Sequence, residues 1–205
     1  MSIIRTNTPK DAVVNDIVNR EWEMFQKTQN IGGRAACQDQ YDTFYANRYS
    51  QHSILQPDTL ESYRNDLIAA GMIGRNLITE KYGYMMEFTD PDYYNANLRD
   101  RLPTLTETKA QLIAQIVSLQ LVGYRQYATE YPALAKAGRP AEESNLDTSI
   151  RDYSVGEYKT YSEGTLELVL RDVKRMENSV MEIQKTLVSF YGFNTLKEAE
   201  EAQKQ

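Results

Sequence analysis

The residues that carry much of protein chemistry are nearly missing. With one Cys and one His in 205 residues, the chain cannot form an internal disulfide, an iron–sulfur cluster, a Cys-rich zinc site or a three-His metal site, nor a paired Glu-x-x-His di-iron site. Long hydrophobic runs are missing too. The most apolar stretch, 112–122, covers 11 residues and is interrupted by Gln115, Ser118 and Gln120, well short of the roughly 20 that span a bilayer. Residues 1–10 hold no apolar segment of the kind a secretory signal needs. Positive charge is in deficit: 23 Lys and Arg against 29 Asp and Glu give a net charge of −6, which offers no field to attract phosphates. These absences predict a cytoplasmic protein with no nucleic-acid partner, no membrane partner, no metal and no cofactor. They leave its oligomeric state open.

What the chain has in quantity is tyrosine. The apolar share of 41% includes 15 Tyr; without them, and with glycine counted, about 39% remains, under the roughly 45–50% usual on that count. A core must therefore recruit tyrosines, and a buried Tyr hydroxyl usually needs a partner.

Helix punctuation recurs, and strand signals are almost absent. Thr8-Pro9 reads as an N-cap with Pro at the first helical position, opening a helix to about Thr28 before Asn30-Ile31-Gly32-Gly33. A second helix is expected over 35–54. A third, opened by Asp58 with Glu61, extends to about Phe88, as two helices or one bent at its glycines. Shorter helices are expected over 93–99 and 132–137, and a long one from Thr106 to Glu130. Residues 138–153 read as a loop, Ser154 with Glu157 as another capping spacing, 162–191 as one long helix, and 195–205 as a charged terminal helix that frays. The prediction is a single all-α domain over 1–205, an irregular bundle of five to seven helices.

Periodicity of about 100° per residue then places polar groups on inner faces. In the first helix Glu21 shares a face with Val14, Ile17, Val18 and Phe25; in the second, Arg48 is central to a stripe of Cys37, Tyr41, Phe44, Tyr45, His52 and Leu55. A buried carboxylate needs a partner, and Arg offers a planar fork that also stacks on Tyr rings. Glu21 with Arg48 is the first predicted pair. Gln120 interrupts the inner face of the long central helix, and Glu177 and Gln184 interrupt that of 162–191. The four helices together aim Glu21, Arg48, Gln120 and Glu177 at the core. This set reads either as a closed network fixing helix register or as the wall of a ligand or catalytic pocket.

Other motifs are weaker. The Gly-Gly-Arg turn at 32–34 leads into a helix whose free N–H groups, with Arg34, suit an anion, but it lacks the spacing and Lys of a phosphate loop. On one straight helix Cys37 and His52 would stand about 22 Å apart, too far for a dyad. Glu80 with Glu87, and Asp39 with Asp42, fall on outer faces. Mg²⁺ or Mn²⁺ held by Glu21 and Glu177 would have to compete with Arg48.

The runs Arg20-Glu21-Trp22-Glu23-Met24-Phe25, Asn30-Ile31-Gly32-Gly33-Arg34-Ala35-Ala36-Cys37-Gln38-Asp39, Thr43-Phe44-Tyr45, Gly74-Arg75-Asn76-Leu77, Glu80-Lys81-Tyr82 and Met85-Met86-Glu87 resemble a bacterial family known as domain of unknown function 4125. The resemblance is densest over 20–90. It implies a bacterial, cytosolic origin and transfers no activity to any residue.

Three functions fit these residues. The leading expectation is a domain that binds a small polar or anionic molecule, with Arg48 and Arg34 taking negative charge, Glu21 and Glu177 orienting Arg48 or a ligand amine, and Tyr41, Tyr45 and Gln120 giving directional hydrogen bonds. An enzyme using Glu21 or Glu177 for proton transfer is the second. The third is an interaction module with a structural polar core and an exposed patch at Tyr49, Tyr93 or Tyr94.

Overall fold

The computed structural model describes residues 8–29, 33–141 and 149–204. Among them are eleven α-helices and no strand: α1 Pro9–Gln26, α2 Tyr41–Ser53, α3 Pro57–Met72, α4 Leu77–Thr89, α5 Pro91–Tyr93, α6 Glu107–Glu130, α7 Pro132–Ala137, α8 Ile150–Tyr158, α9 Glu163–Arg175, α10 Ser179–Phe190 and α11 Leu196–Gln203. The all-α class is as expected. The count exceeds the expected five to seven because long apolar stretches break where the backbone changes conformation.

The breaks have local causes. Residues 35–54 are not one helix: a 3₁₀ turn over Ala36–Asp39 precedes α2, and Gln40 between them (φ −111°, ψ 67°) is non-helical. The buried Gln38 fixes that turn by donating to the Phe25 and Thr28 carbonyls at the end of α1. α3 and α4 separate at Gly74, whose φ of +73° favours glycine. The expected long helix over 162–191 divides at Met176 (φ −90°, ψ 142°), and Asn178 caps α10 by accepting from the Met181 N–H. Asn178 also donates to the Gly123 carbonyl of α6 at 3.0 Å. A Cβ at Gly123 would lie 2.6 Å from the Asn178 side-chain oxygen, so the break is seated against a bare stretch of α6.

Packing follows the apolar faces. The larger core joins α1, α2, α3, α6 and α9 through residues such as Ile17, Leu60, Leu67, Ile116 and Leu166; a smaller one joins Tyr124, Tyr127, Val180, Val188 and Leu196. α11 seats Leu196 and Ala199 in this second core, and Glu200 accepts from the Ala133 and Leu134 N–H groups at the start of α7. The buried tyrosines mostly find partners: Tyr45 donates to Asn15, Tyr49 to Asp11 and Tyr84 to the Pro103 carbonyl. Tyr49 and Tyr94 are buried and Tyr93 half-buried, so two of the three tyrosines expected in an exposed patch are enclosed. No helix among the described residues is long and apolar enough to cross a membrane.

α8 crosses α4 at close range because of Gly156. A Cβ there would stand 2.6 Å from Met85 Cγ and 3.0 Å from the Lys81 carbonyl oxygen. Met85 can bend away, whereas the carbonyl moves only with its helix. Gly156→Ala should therefore destabilise the fold by about 1–3 kcal/mol, as overpacking does, measured by urea unfolding. Unchanged stability would mean that the two helices slide freely at this crossing.

Candidate functional site

Five elements deliver a buried ionic cluster. Glu21 comes from the inner face of α1, Arg48 and His52 from successive turns of α2, Tyr63 from α3, Lys81 from α4, and Glu157 from α8, with Tyr161 just beyond α8. Glu21 is 0% and Arg48 3% exposed. The Arg48 fork bonds both carboxylates: Nε and Nη2 donate to Glu21 at 2.8 and 2.5 Å, while Nη1 and Nη2 donate to Glu157, both at 2.9 Å. Nη1 also donates to Gln51 Oε1. All five guanidinium hydrogens are thereby placed on protein acceptors.

The carboxylates are equally enclosed. Glu21 accepts from the Tyr63 hydroxyl at 2.7 Å, and His52 Nε2 lies 3.1 and 3.2 Å from its two oxygens. Because both Nη2 hydrogens of Arg48 point at carboxylates, we assign the Nε2 proton of His52 to the bond with Glu21. Glu157 accepts from Lys81 Nζ at 2.7 Å and from the Tyr161 hydroxyl at 2.9 Å. Lys81 Nζ also sits 3.5 Å from the centre of the Tyr153 ring, a cation–π contact.

Burial by itself would raise the pKa of Glu21, but Arg48 and His52 outweigh it and hold the carboxyl at about 2. Burial likewise opposes the ionised form of Glu157, and Arg48 with Lys81 overrides it, leaving the group well below its ordinary value. Arg48 is held well above its own despite burial, by Glu157 and then Glu21. Burial, followed by the adjacent carboxylate, pushes the Tyr63 and Tyr161 hydroxyls far up. Near neutral pH both carboxylates therefore stay ionised, and neither can donate a proton.

One side of the cluster faces a cavity of about 850 Å³. Arg48, Gln51, His52 and Glu157 line it at this end, and it extends past Gln120 and Tyr158 to apolar walls including Val173, Ile183 and Leu187. Gln120 Nε2 donates to the Tyr158 hydroxyl at 2.8 Å, while the buried Gln120 Oε1 has no hydrogen-bond partner.

A family model described as a protein of unknown function, DUF4125, matches residues 11–201. The chain belongs to that family. No curated protein and no solved structure matches it.

Within this DUF4125 chain the predicted site residues separate into two groups. Glu21 and Arg48 form the expected pair, and Arg48 and Gln120 both border the cavity. The others lie elsewhere. Tyr41 donates to Asn19 and Tyr45 to Asn15, both toward α1 and away from the cavity. Arg34 is tied to Asp39, to the Gln26 side chain and to the Gln38 carbonyl; of its turn, residues 30–32 lie outside the described ones. Glu177 is exposed, a correction whose cause is the break between α9 and α10. Once the helix restarts at Ser179, position 177 no longer shares the inner face. Gln184, on α10, does line the cavity.

The second carboxylate of the cluster is Glu157, whose spacing from Ser154 matches a helix cap. The actual cap is five residues earlier: Ser149 accepts from the Asp152 N–H, leaving Glu157 in the last turn of α8 on a buried face. Of 138–153, assigned to a loop, Ile150 onward is already helical, while 142–148 lie outside the described residues. Lys81, absent from the expected site, falls between Ile78 and Met85 on one buried face. Cys37 is exposed on the 3₁₀ turn, Glu80 pairs with Arg75, and Glu87 pairs with Lys159. Among the described residues no group of three His, Cys, Asp or Glu is placed to hold a metal.

Proposed function

We propose that this chain binds a small organic molecule in the cavity between the Arg48–Glu157 cluster and the α9–α10 walls. The observation that carries the reading is the cavity itself. Its volume of about 850 Å³ falls in the roughly 300–1,000 Å³ range of ligand sites, which combine apolar walls with a few convergent polar groups. Gln120, whose amide nitrogen bonds the Tyr158 hydroxyl, is one of the polar side chains on the cavity wall.

A panel of small molecules screened by thermal shift on the full chain tests the proposal. A ligand at about 100 times its Kd contributes about 2.7 kcal/mol, a rise in Tm of about 5–10 °C for a chain of this length. Gln120→Leu should reduce the shift and Leu187→Trp should abolish it, with the helical circular dichroism retained. A panel that yields no shift, or a shift indifferent to both substitutions, counts against the proposal.

A second reading rests on the saturation of Arg48. Because every donor of its fork is engaged by protein groups, the cluster also suits a purely structural role, holding α1, α2, α4 and α8 in register. The two readings part at the cavity: a structural cluster leaves Gln120→Leu neutral toward any added molecule.

A further inference from the structure

We infer that the molecule taken by this cavity is uncharged where it is buried, and ring-bearing, with hydrogen-bonding groups in place of an ionised one. The inference rests on the cavity being a binding site, and it fixes the chemical class that site accepts.

The charge balance supports it first. Glu21 and Glu157 are matched by Arg48 and Lys81 in one bonded cluster, two charges of each sign. Coordination supports it second. Arg48 has no hydrogen left for a ligand anion, and each Glu157 oxygen already accepts two donors, so this carboxylate is closed to a ligand ammonium. An ionised group pressed against this end would be buried without a counter-charge, a loss of several kcal/mol. Arg139, the remaining charged residue on the lining, is exposed and has its guanidinium 5.0 Å from the Tyr153 ring centre. Its charge therefore acts from the solvent side.

What is open on the lining is neutral. The Gln51 amide nitrogen is left over once its oxygen has accepted from Arg48, and the Tyr158 hydroxyl hydrogen is left over once its oxygen has accepted from Gln120. Tyr82 and Tyr124 also line the cavity, and a planar molecule beside such rings gains both area and offset stacking.

Two dyes that differ by one sulfonate group provide the test: N-phenyl-1-naphthylamine, which is neutral and carries one N–H donor, and its anionic 8-sulfonate. Each is titrated into the full chain and followed by fluorescence enhancement. The neutral dye should bind at least ten-fold more tightly than the sulfonate. Leu187→Trp, or Ala135→Leu if the first variant loses its helical signal, should weaken the neutral dye ten-fold or more by narrowing the cavity. Equal or tighter binding of the sulfonate, sensitive to the same substitutions, overturns the uncharged class while leaving the cavity a binding site. Binding of neither dye at a site sensitive to these substitutions overturns the class and the site together.

Discussion

Replacing Arg48 by Ala should destabilise the protein by about 3–5 kcal/mol, the range for removing one partner of a buried ion pair. Two carboxylates depend on this guanidinium. Glu157 would retain Lys81, but Glu21, enclosed at 0% exposure, would retain only His52 and the Tyr63 hydroxyl. A drop of that size lowers Tm by about 6–20 °C. The double variant Glu21→Gln with Arg48→Met removes one charge of each sign and leaves Glu157 paired with Lys81, so it should recover most of the loss. Urea unfolding of the three proteins decides the matter. If Arg48→Ala loses less than 1 kcal/mol, or the double variant is no better than the single, the cluster does not couple these charges as its geometry implies.

The same cluster should make the fold acid-sensitive in a defined window. Glu21 has a folded pKa of about 2 against an ordinary value of 4.5. A carboxyl depressed on folding stabilises at pH values above its unfolded pKa, and that stabilisation drains away as pH falls toward the folded value. For Glu21 the loss begins near pH 4.5, continues toward 2, and amounts to about 3 kcal/mol. Glu157 is displaced in the same direction and adds to the slope. Unfolding free energies measured from pH 6 down to pH 3 should fall steeply below 4.5, and Glu21→Gln should flatten that fall whatever its own starting stability. An unchanged slope in the variant would place the acid sensitivity elsewhere.

The Glu21–Arg48 pair was legible because both residues sit within uninterrupted helix, where a 100° period keeps its phase. Thr8 caps α1 as the Thr-Pro signal indicates, and the stripe from Tyr41 to His52 lies wholly inside α2. Glu177 was misplaced for the complementary reason. Its phase was carried across Met176, where no glycine or proline announces the break, and the Asn178-Ser179 cap that restarts the helix is a weak signal inside an apolar pattern. Glu157 was hidden by a coincidence of spacing. Ser149-x-x-Asp152 and Ser154-x-x-Glu157 offer equivalent caps on paper, and only the first opens a helix. Lys81 shows a further limit: a lysine on an inner face normally snorkels to solvent, and what holds this one inside is a carboxylate 76 positions away. Periodicity reports which face a residue occupies, while long-range partnership depends on how helices cross, which here turns on Gly156.

The order in which the cluster's members occur along the chain bears on assembly. Glu21, Arg48 and Lys81 all precede α6, and Glu157 follows Arg48 by 109 positions. A chain folded only through α4 holds one carboxylate against two cations, an excess of one positive charge in its interior. That imbalance is removed when α8 docks beside α4 and brings Glu157 to both Arg48 and Lys81. Completion of the interior is thus reported electrostatically: the carboxylate that matches the second buried cation arrives only when the second half is in place.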